Sequence, residues 1–268
     1  MKVIRASSLG MCFGVKDALE KVMTLEEPER VQVFGELVHN AEVLRRITAR
    51  GIRSVGEKDR AGLPSAERVV ITAHGISEKE RLALEAAGKK LIDATCPLVR
   101  RVHVLAGEFQ SRGYFVVVVG RKDHVEVKGI VGDLEHYAIV ETPQDAQAYD
   151  AGRIAVISQT TTPPALLDKC YQEIVRKNSG KEISLLNTIC GPTRERQEAV
   201  EELLPQINAL VVVGGKNSNN SQRLAELAKK KGVPCFWVEK PGELQAEQFE
   251  NYSVVGLTAG TSTMDETI

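Results

Sequence analysis

Short, almost wholly apolar runs recur along the chain, and most are followed by a polar or glycine-containing turn and then a stretch with helical periodicity. The runs KVIRAS, VQVFGEL, RVVITAHG, KLIDATC, YFVVVVGR, AIVET, RIAVISQ, ISLLN, ALVVVGG, PCFWVE and SVVGLTAG are rich in valine and isoleucine and end in turn or polar residues. They predict buried strands. Between many of them lie VKDALEKVMTLE, NAEVLRRITARG, SEKERLALEAAG, LVRRVHVLAGEFQSRG, ALLDKCYQEIVRKN, RERQEAVEELLPQIN and SQRLAELAKKKG, which predict helices, several closing on glycine. The alternation implies an α/β architecture with parallel sheets.

In open parallel sheets, ligands bind outside the carboxyl ends of the strands. Those ends here carry chemistry in unusual density. In chain order they present Cys12, His39 in ELVHN, His74 in TAHG, Cys96 in ATCP, then His124 and Glu126 in GRKDHVEVKG. Thr160 in SQTTT, Cys190 in TICGPT, Ser218 to Ser221 in GGKNSNNS and Ser262 in TAGTST follow. Taken singly, each has an ordinary reading as a buried thiol, a loop histidine or a helix cap. The joint pattern is what points to a site.

Composition narrows the class. The 268-residue chain is 43% hydrophobic and 26% charged, with a net charge of −1. No global field recruits nucleic acid or a membrane surface, so an anionic ligand must be held by local groups. No stretch is long and apolar enough to span a bilayer, and the opening MKVIRASSLGMCFGV lacks a signal-peptide core. A cytoplasmic protein is expected.

An odd count of five cysteines, without a C-x-x-C pair, argues against a disulfide framework or a local metal knuckle. Cys170 falls within a helical pattern and Cys235 opens a strand, so both are expected to be structural. Cys12, Cys96 and Cys190 lie 84 and 94 residues apart, each between a strand-like and a helix-like run. That spacing suits three similar α/β units, 1–95 with the N-terminal strand, 96–190 and 191–268. Three thiolates on three strand ends suit a metal or cluster with one open position, and residue chemistry alone leaves zinc and iron–sulfur both open.

Two further stretches have a definite chemical sense. VVVGGKNSNNSQRLAEL passes from a buried strand through two glycines into a helix start, which suits a phosphate cradle although no Walker sequence is present. HVEV sets His124 and Glu126 two residues apart, on one side of a chain expected to be extended there, a pairing suited to proton delivery.

Together, GMCFGV, ELVHN, TAHG, DATCPLV, GRKDHVEVKG, SQTT, TICGPTRERQ, GGKNSNNSQRL and TAGTST resemble, in order, the motifs of the 4-hydroxy-3-methylbut-2-enyl diphosphate reductases. The resemblance covers nearly the whole chain. It implies three α/β units arranged as a trefoil around a central [4Fe–4S] cluster, one per chain, held by Cys12, Cys96 and Cys190 with one iron open. It implies diphosphate binding by His39, His74, Ser218, Asn219, Asn220 and Ser262, with His124 lining the site, Thr160 near the substrate hydroxyl and Glu126 as proton donor. It further implies an allylic diphosphate substrate and an external one-electron donor of ferredoxin or flavodoxin type. Asn219 stands where many members have serine, Val125 where proline is common, and Met264 where proline is frequent. A redox-neutral hydro-lyase, a zinc phosphoesterase and a cluster-based sensor are the competing classes.

Overall fold

The computed structural model describes residues 1–57, 60 and 62–268. It contains three four-stranded parallel sheets flanked by helices. Contacts group the chain into two compact units. One comprises Met1–Glu29, Glu36–Ser54 and Gly191–Ile268, the other Arg30–Gly35 and Val55–Cys190.

The first unit holds a sheet of order β1-β12-β10-β11, made of Lys2–Arg5, Val254–Ala259, Ala209–Val213 and Cys235–Val238. Although β1 opens the chain, it pairs in parallel with β12, Lys2 opposite Val254 through Arg5 opposite Leu257. Central strand β10 is buried along its whole length. Its successive side chains point to opposite faces. Leu210 and Val212 pack with Val200, Leu203 and Leu224, while Val211 and Val213 pack with Phe236 and Phe249. Helices α7 (Gly191–Leu203) and α8 (Asn219–Lys230) supply the first of these faces. The same unit carries α1 (Phe13–Met23) and α2 (Ala41–Ala49).

The second unit holds a sheet of order β7-β6-β8-β9, made of Tyr137–Val140, Phe115–Val119, Arg153–Ser158 and Glu182–Leu185. Here Val116 and Val118 face Val102, Ala106 and Ile130, while Val117 and Val119 face Leu167, Cys170 and Ile174. The helices involved are α4 (Pro97–Ser111), α5 (Val125–Val131) and α6 (Pro164–Lys177). The remaining sheet has the order β3-β2-β4-β5, made of Arg53–Ser54, Val31–Phe34, Arg68–Ile71 and Lys90–Asp93. Helix α3 (Glu78–Ala86) follows β4 and starts on a capping box between Ser77 and Glu80.

Two elements differ from the expectation. The two-residue edge strand β3 is too short to leave a periodic signal. More consequential is α5, because Val125, Glu126 and Val127 of HVEV are helical and only the capping His124 is extended. Its alternating β-branched residues mimic a strand. The helix forms because His124 caps its start and Val127, Ile130 and Val131 are buried. No helix among the described residues is long and apolar enough to cross a membrane.

Candidate active site

In the first unit, the loops after β10 and β12 meet at the carboxyl edge of the sheet. Ser218 is the N-cap of α8, its hydroxyl accepting from the backbone N–H of Ser221 at 3.3 Å. Asn219, Asn220 and Ser221 form the first turn and are buried. Such a turn presents backbone N–H groups and a partial positive charge to an anion.

The glycines of this loop are dictated by packing. A Cβ on Gly215 would lie 2.3 Å from the carbonyl oxygen of His39, so backbone meets backbone there. Cβ atoms on Gly214 and Gly260 would fall 2.2 and 2.1 Å from Ser221 Oγ. Ser221 therefore sits between the two strand ends in space only glycines leave. Both amide atoms of Asn220, only 2% exposed, lack a hydrogen-bond partner. Unsatisfied buried amides cost about 1–3 kcal/mol each, so this one calls for a ligand or water.

His39 is oriented by Glu36, whose carboxylate lies 2.9 Å from Nδ1. Asn40, next in sequence, caps α2 by accepting from Glu42 and Val43. Ser262 reaches the His39 carbonyl at 3.5 Å. Cys12 is the N-cap of α1, without a side-chain cap bond, and its N–H donates to Thr261 at 3.0 Å. Arg196 on α7 donates twice to the Gly10 carbonyl, at 2.9 and 2.7 Å, tying down the loop that leads to Cys12. Lys216 is turned away from a phosphate role: its ammonium bonds the Trp237 carbonyl and lies over that ring.

In the second unit, His124 caps α5, Nδ1 accepting from the Glu126 N–H at 3.2 Å. Glu126 is 2% exposed. Its Oε1 accepts from the Thr160 N–H at 2.6 Å and its Oε2 from the Thr160 hydroxyl at 3.0 Å. The Thr160 carbonyl in turn accepts from the Cys190 N–H at 2.9 Å. His74 meets His124 edge to face, ring centroids 5.6 Å apart. Cys96 is the N-cap of α4, with Pro97 in the first turn, and its N–H donates to Ala73, next to His74. His74, Cys96, His124, Glu126, Thr160 and Cys190 are thus linked by chain neighbours and hydrogen bonds.

Cys12, Cys96 and Cys190 share one setting. Each immediately precedes a helix and each is partly exposed. Helix starts favour negatively charged ligands. Cys170 is buried and Cys235, though partly exposed, opens a strand; desolvation pushes both thiols up to about 11. Among the described residues no three of His, Cys, Asp and Glu stand together as ligands of a single metal ion. A cubane does not ask for that, because each cysteine holds a different iron.

Sequence reading missed Glu36 and Arg196. Glu36 had a signal, a carboxylate three residues before His39 in a short loop. Arg196 had none, since its partner Gly10 is distant in the chain.

Known proteins match the chain along almost its whole length. The model of the LytB protein family matches residues 3–268. The chain is 34% identical to the 4-hydroxy-3-methylbut-2-enyl diphosphate reductase of Caldanaerobacter subterraneus, over 100% of this chain and 94% of that one. To the enzyme of that name from Oleidesulfovibrio alaskensis it is 38% identical, over 100% and 98%. Among solved structures, the E-1-hydroxy-2-methyl-but-2-enyl-4-diphosphate reductase of Plasmodium falciparum superposes with a TM-score of 0.91 at 25% identity, over 99% of this chain and 85% of that one. The (E)-4-hydroxy-3-methyl-but-2-enyl diphosphate reductase described as the terminal enzyme of the non-mevalonate pathway gives 0.71 at 34% identity, over 100% and 96%. A glycine-rich loop leading into a helix start, a buried Glu–Thr pair and three cysteines that immediately precede helices thus sit in a chain matched along almost all its length, and the chain belongs to the LytB family.

Proposed function

We propose that this chain is an oxidoreductase that removes the hydroxyl of (E)-4-hydroxy-3-methylbut-2-enyl diphosphate, giving isopentenyl and dimethylallyl diphosphate. The observation that carries the reading is Glu126, a buried carboxyl with both oxygens bonded to Thr160. A shielded acid beside a hydroxyl relay suits proton delivery to a poor leaving group.

The residues fit a [4Fe–4S] cluster held by Cys12, Cys96 and Cys190: three partly exposed thiols at helix starts, a soft donor set suited to iron. When bound, the cluster supplies one-electron transfer and an open iron of Lewis-acid character. The protein does the rest. Ser218, Asn220, Ser262 and the first N–H groups of α8 bind the diphosphate, and Asn219 adds its amide. His39, His74 and His124 donate from their rings. Glu126 gives a proton, directly or through the Thr160 hydroxyl, as the allylic C–O bond breaks and water leaves. Two electrons enter singly from an external ferredoxin- or flavodoxin-type donor. A second proton, supplied by the substrate's own diphosphate, forms the new C–H bond at either of two carbons.

The test is iron, sulfide and zinc content of protein purified without oxygen, followed by turnover of the diphosphate with and without reductant. About four irons and four sulfides per chain and strictly reductant-dependent loss of substrate are expected. One zinc without sulfide, or turnover without an electron donor, overturns the reading.

A further inference from the structure

His103 lies on α4, seven residues beyond Cys96, or about 10 Å along the helix. Its ring edge sits where two glycines have no side chain. A Cβ on Gly75 would stand 3.3 Å from Nε2, and one on Gly129 would stand 3.2 Å from Cε1. Gly75 follows His74 directly and has φ +73, a conformation L side chains rarely adopt. Gly129 lies in α5, three residues beyond Glu126. The same Gly129 Cβ would lie 3.5 Å from Ile76 Cα, so the imidazole edge packs beside a direct approach of the His74 loop to the helix that carries Glu126, and it stands on the helix that begins at Cys96.

The ring shares this contact with the Ile76 backbone. A Cβ on Gly132 would fall 2.6 Å from Ser77 Cβ, so the end of α5 is pressed against the start of α3. Asp133 completes that clamp by accepting from the N–H groups of Glu78 and Lys79, at 2.6 and 3.0 Å. With one end of α5 held this way, its other contact with the loop runs through Gly129, against the His103 ring and Ile76 Cα. His103 also walls an open cleft with Arg81, Asp93, Arg100 and Asp133. The charged groups there pair with one another or with backbone: Arg100 with Asp93 at 2.9 Å, Arg81 with Glu78 at 3.1 Å. Nε2 of His103 is buried with no hydrogen-bond partner. The ring is spent on packing against two glycines and not on the charges of the cleft.

We propose that His103 is a positioning residue for the acid site, a wedge that together with the Ile76 backbone sets the approach of the His74 loop to α5 and thereby the places of His74, His124 and Glu126. The kinetic part of this inference rests on the reductase reading; the spectroscopic part does not. Displacement of a reacting group by about 1 Å costs up to about 100-fold in rate.

The experiment uses the full chain with His103→Ala, Gly129→Ala and the two combined. The chain has five histidines. Their Cε1–H signals are followed by proton NMR in cluster-free protein, and kcat is measured per bound iron in anaerobically purified protein. Removal of the ring is expected to shift the signals of His74 and His124, which sense each other's ring current, while that of His136 stays. The expected kcat is at least tenfold lower. Gly129→Ala, which favours the helix and so preserves folding, is expected to act in the same direction. The double variant, whose new methyl enters the space the ring left, is expected to recover part of both effects. Unchanged His74 and His124 signals together with unchanged kcat per iron, in either single variant, overturn the proposal. A wild-type chain that binds iron yet never consumes the diphosphate defeats the reductase reading instead, and the NMR comparison still decides the wedge.

Discussion

Thr160 holds both oxygens of Glu126, one through its backbone N–H and one through its hydroxyl. The pair joins α5 to the loop after β8, and the Thr160 carbonyl continues the link to the Cys190 N–H. A general acid is useful only if its proton has a direction. Here the Thr160 hydroxyl is a mobile donor on the carboxyl, so it offers a path.

Glu126→Gln keeps the shape and the Thr160 N–H contact but has no proton to give. We expect kcat to fall about 10²- to 10³-fold, with iron content and KM nearly unchanged, in anaerobic steady-state kinetics. Thr160→Val removes only the hydroxyl. Its loss is expected to be smaller, about tenfold, because the N–H bond to Oε1 survives.

Asn220→Ala separates function from stability. The amide is buried without a protein partner, so it adds little to the stability of the fold. The variant is expected to melt at the same temperature or higher while KM for the diphosphate rises at least tenfold. A melting temperature that drops by several degrees would show that the amide is satisfied in the free protein.

Thiol labelling sorts the cysteines. In cluster-free protein at pH 8, an alkylating reagent is expected to modify Cys12, Cys96 and Cys190, which are partly exposed at helix starts. Cys170 and Cys235 are expected to be spared, because desolvation raises both thiols to about 11 and leaves almost no thiolate at that pH. Mass spectrometry of tryptic peptides reads the result, and early labelling of Cys170 would contradict it.

His103 also predicts a pH dependence of stability. Burial holds its ring below the ordinary histidine value, with Asp133, Asp93 and Glu80 opposing that shift and Arg100 adding to it. The unfolded chain takes up a proton near pH ~6.5 that the folded chain refuses. Stability is therefore full above that value and falls as pH drops below it. His103→Asn is expected to flatten the change in urea midpoint between pH 7.5 and 5.5; an equally steep change would assign it to other groups.

Much of this was legible in the chain itself. Runs such as FVVVV and ALVVV are apolar at every position because parallel strands are covered on both faces, and that pattern identifies the fold class without further help. Chemistry at strand ends was equally visible: Cys12, His39, His74, Cys96, His124, Glu126, Thr160, Cys190, Ser218 to Asn220 and Ser262 all follow apolar runs. Only the tertiary structure decided which of them touch. HVEV reads as a strand, and becomes a helix because His124 caps it and its apolar face finds Val102, Ala106 and Val118. Glu126 and Thr160 are 34 residues apart, His103 and Gly75 are 28 apart, and Arg196 reaches Gly10 across 186. No local period or propensity encodes such distances. They arise when β6 lies beside β8, β4 beside β5 and β1 beside β12, each pairing bringing the carboxyl ends of distant strands together. Sequence determines which groups stand at those ends; packing between non-local neighbours determines which of them touch.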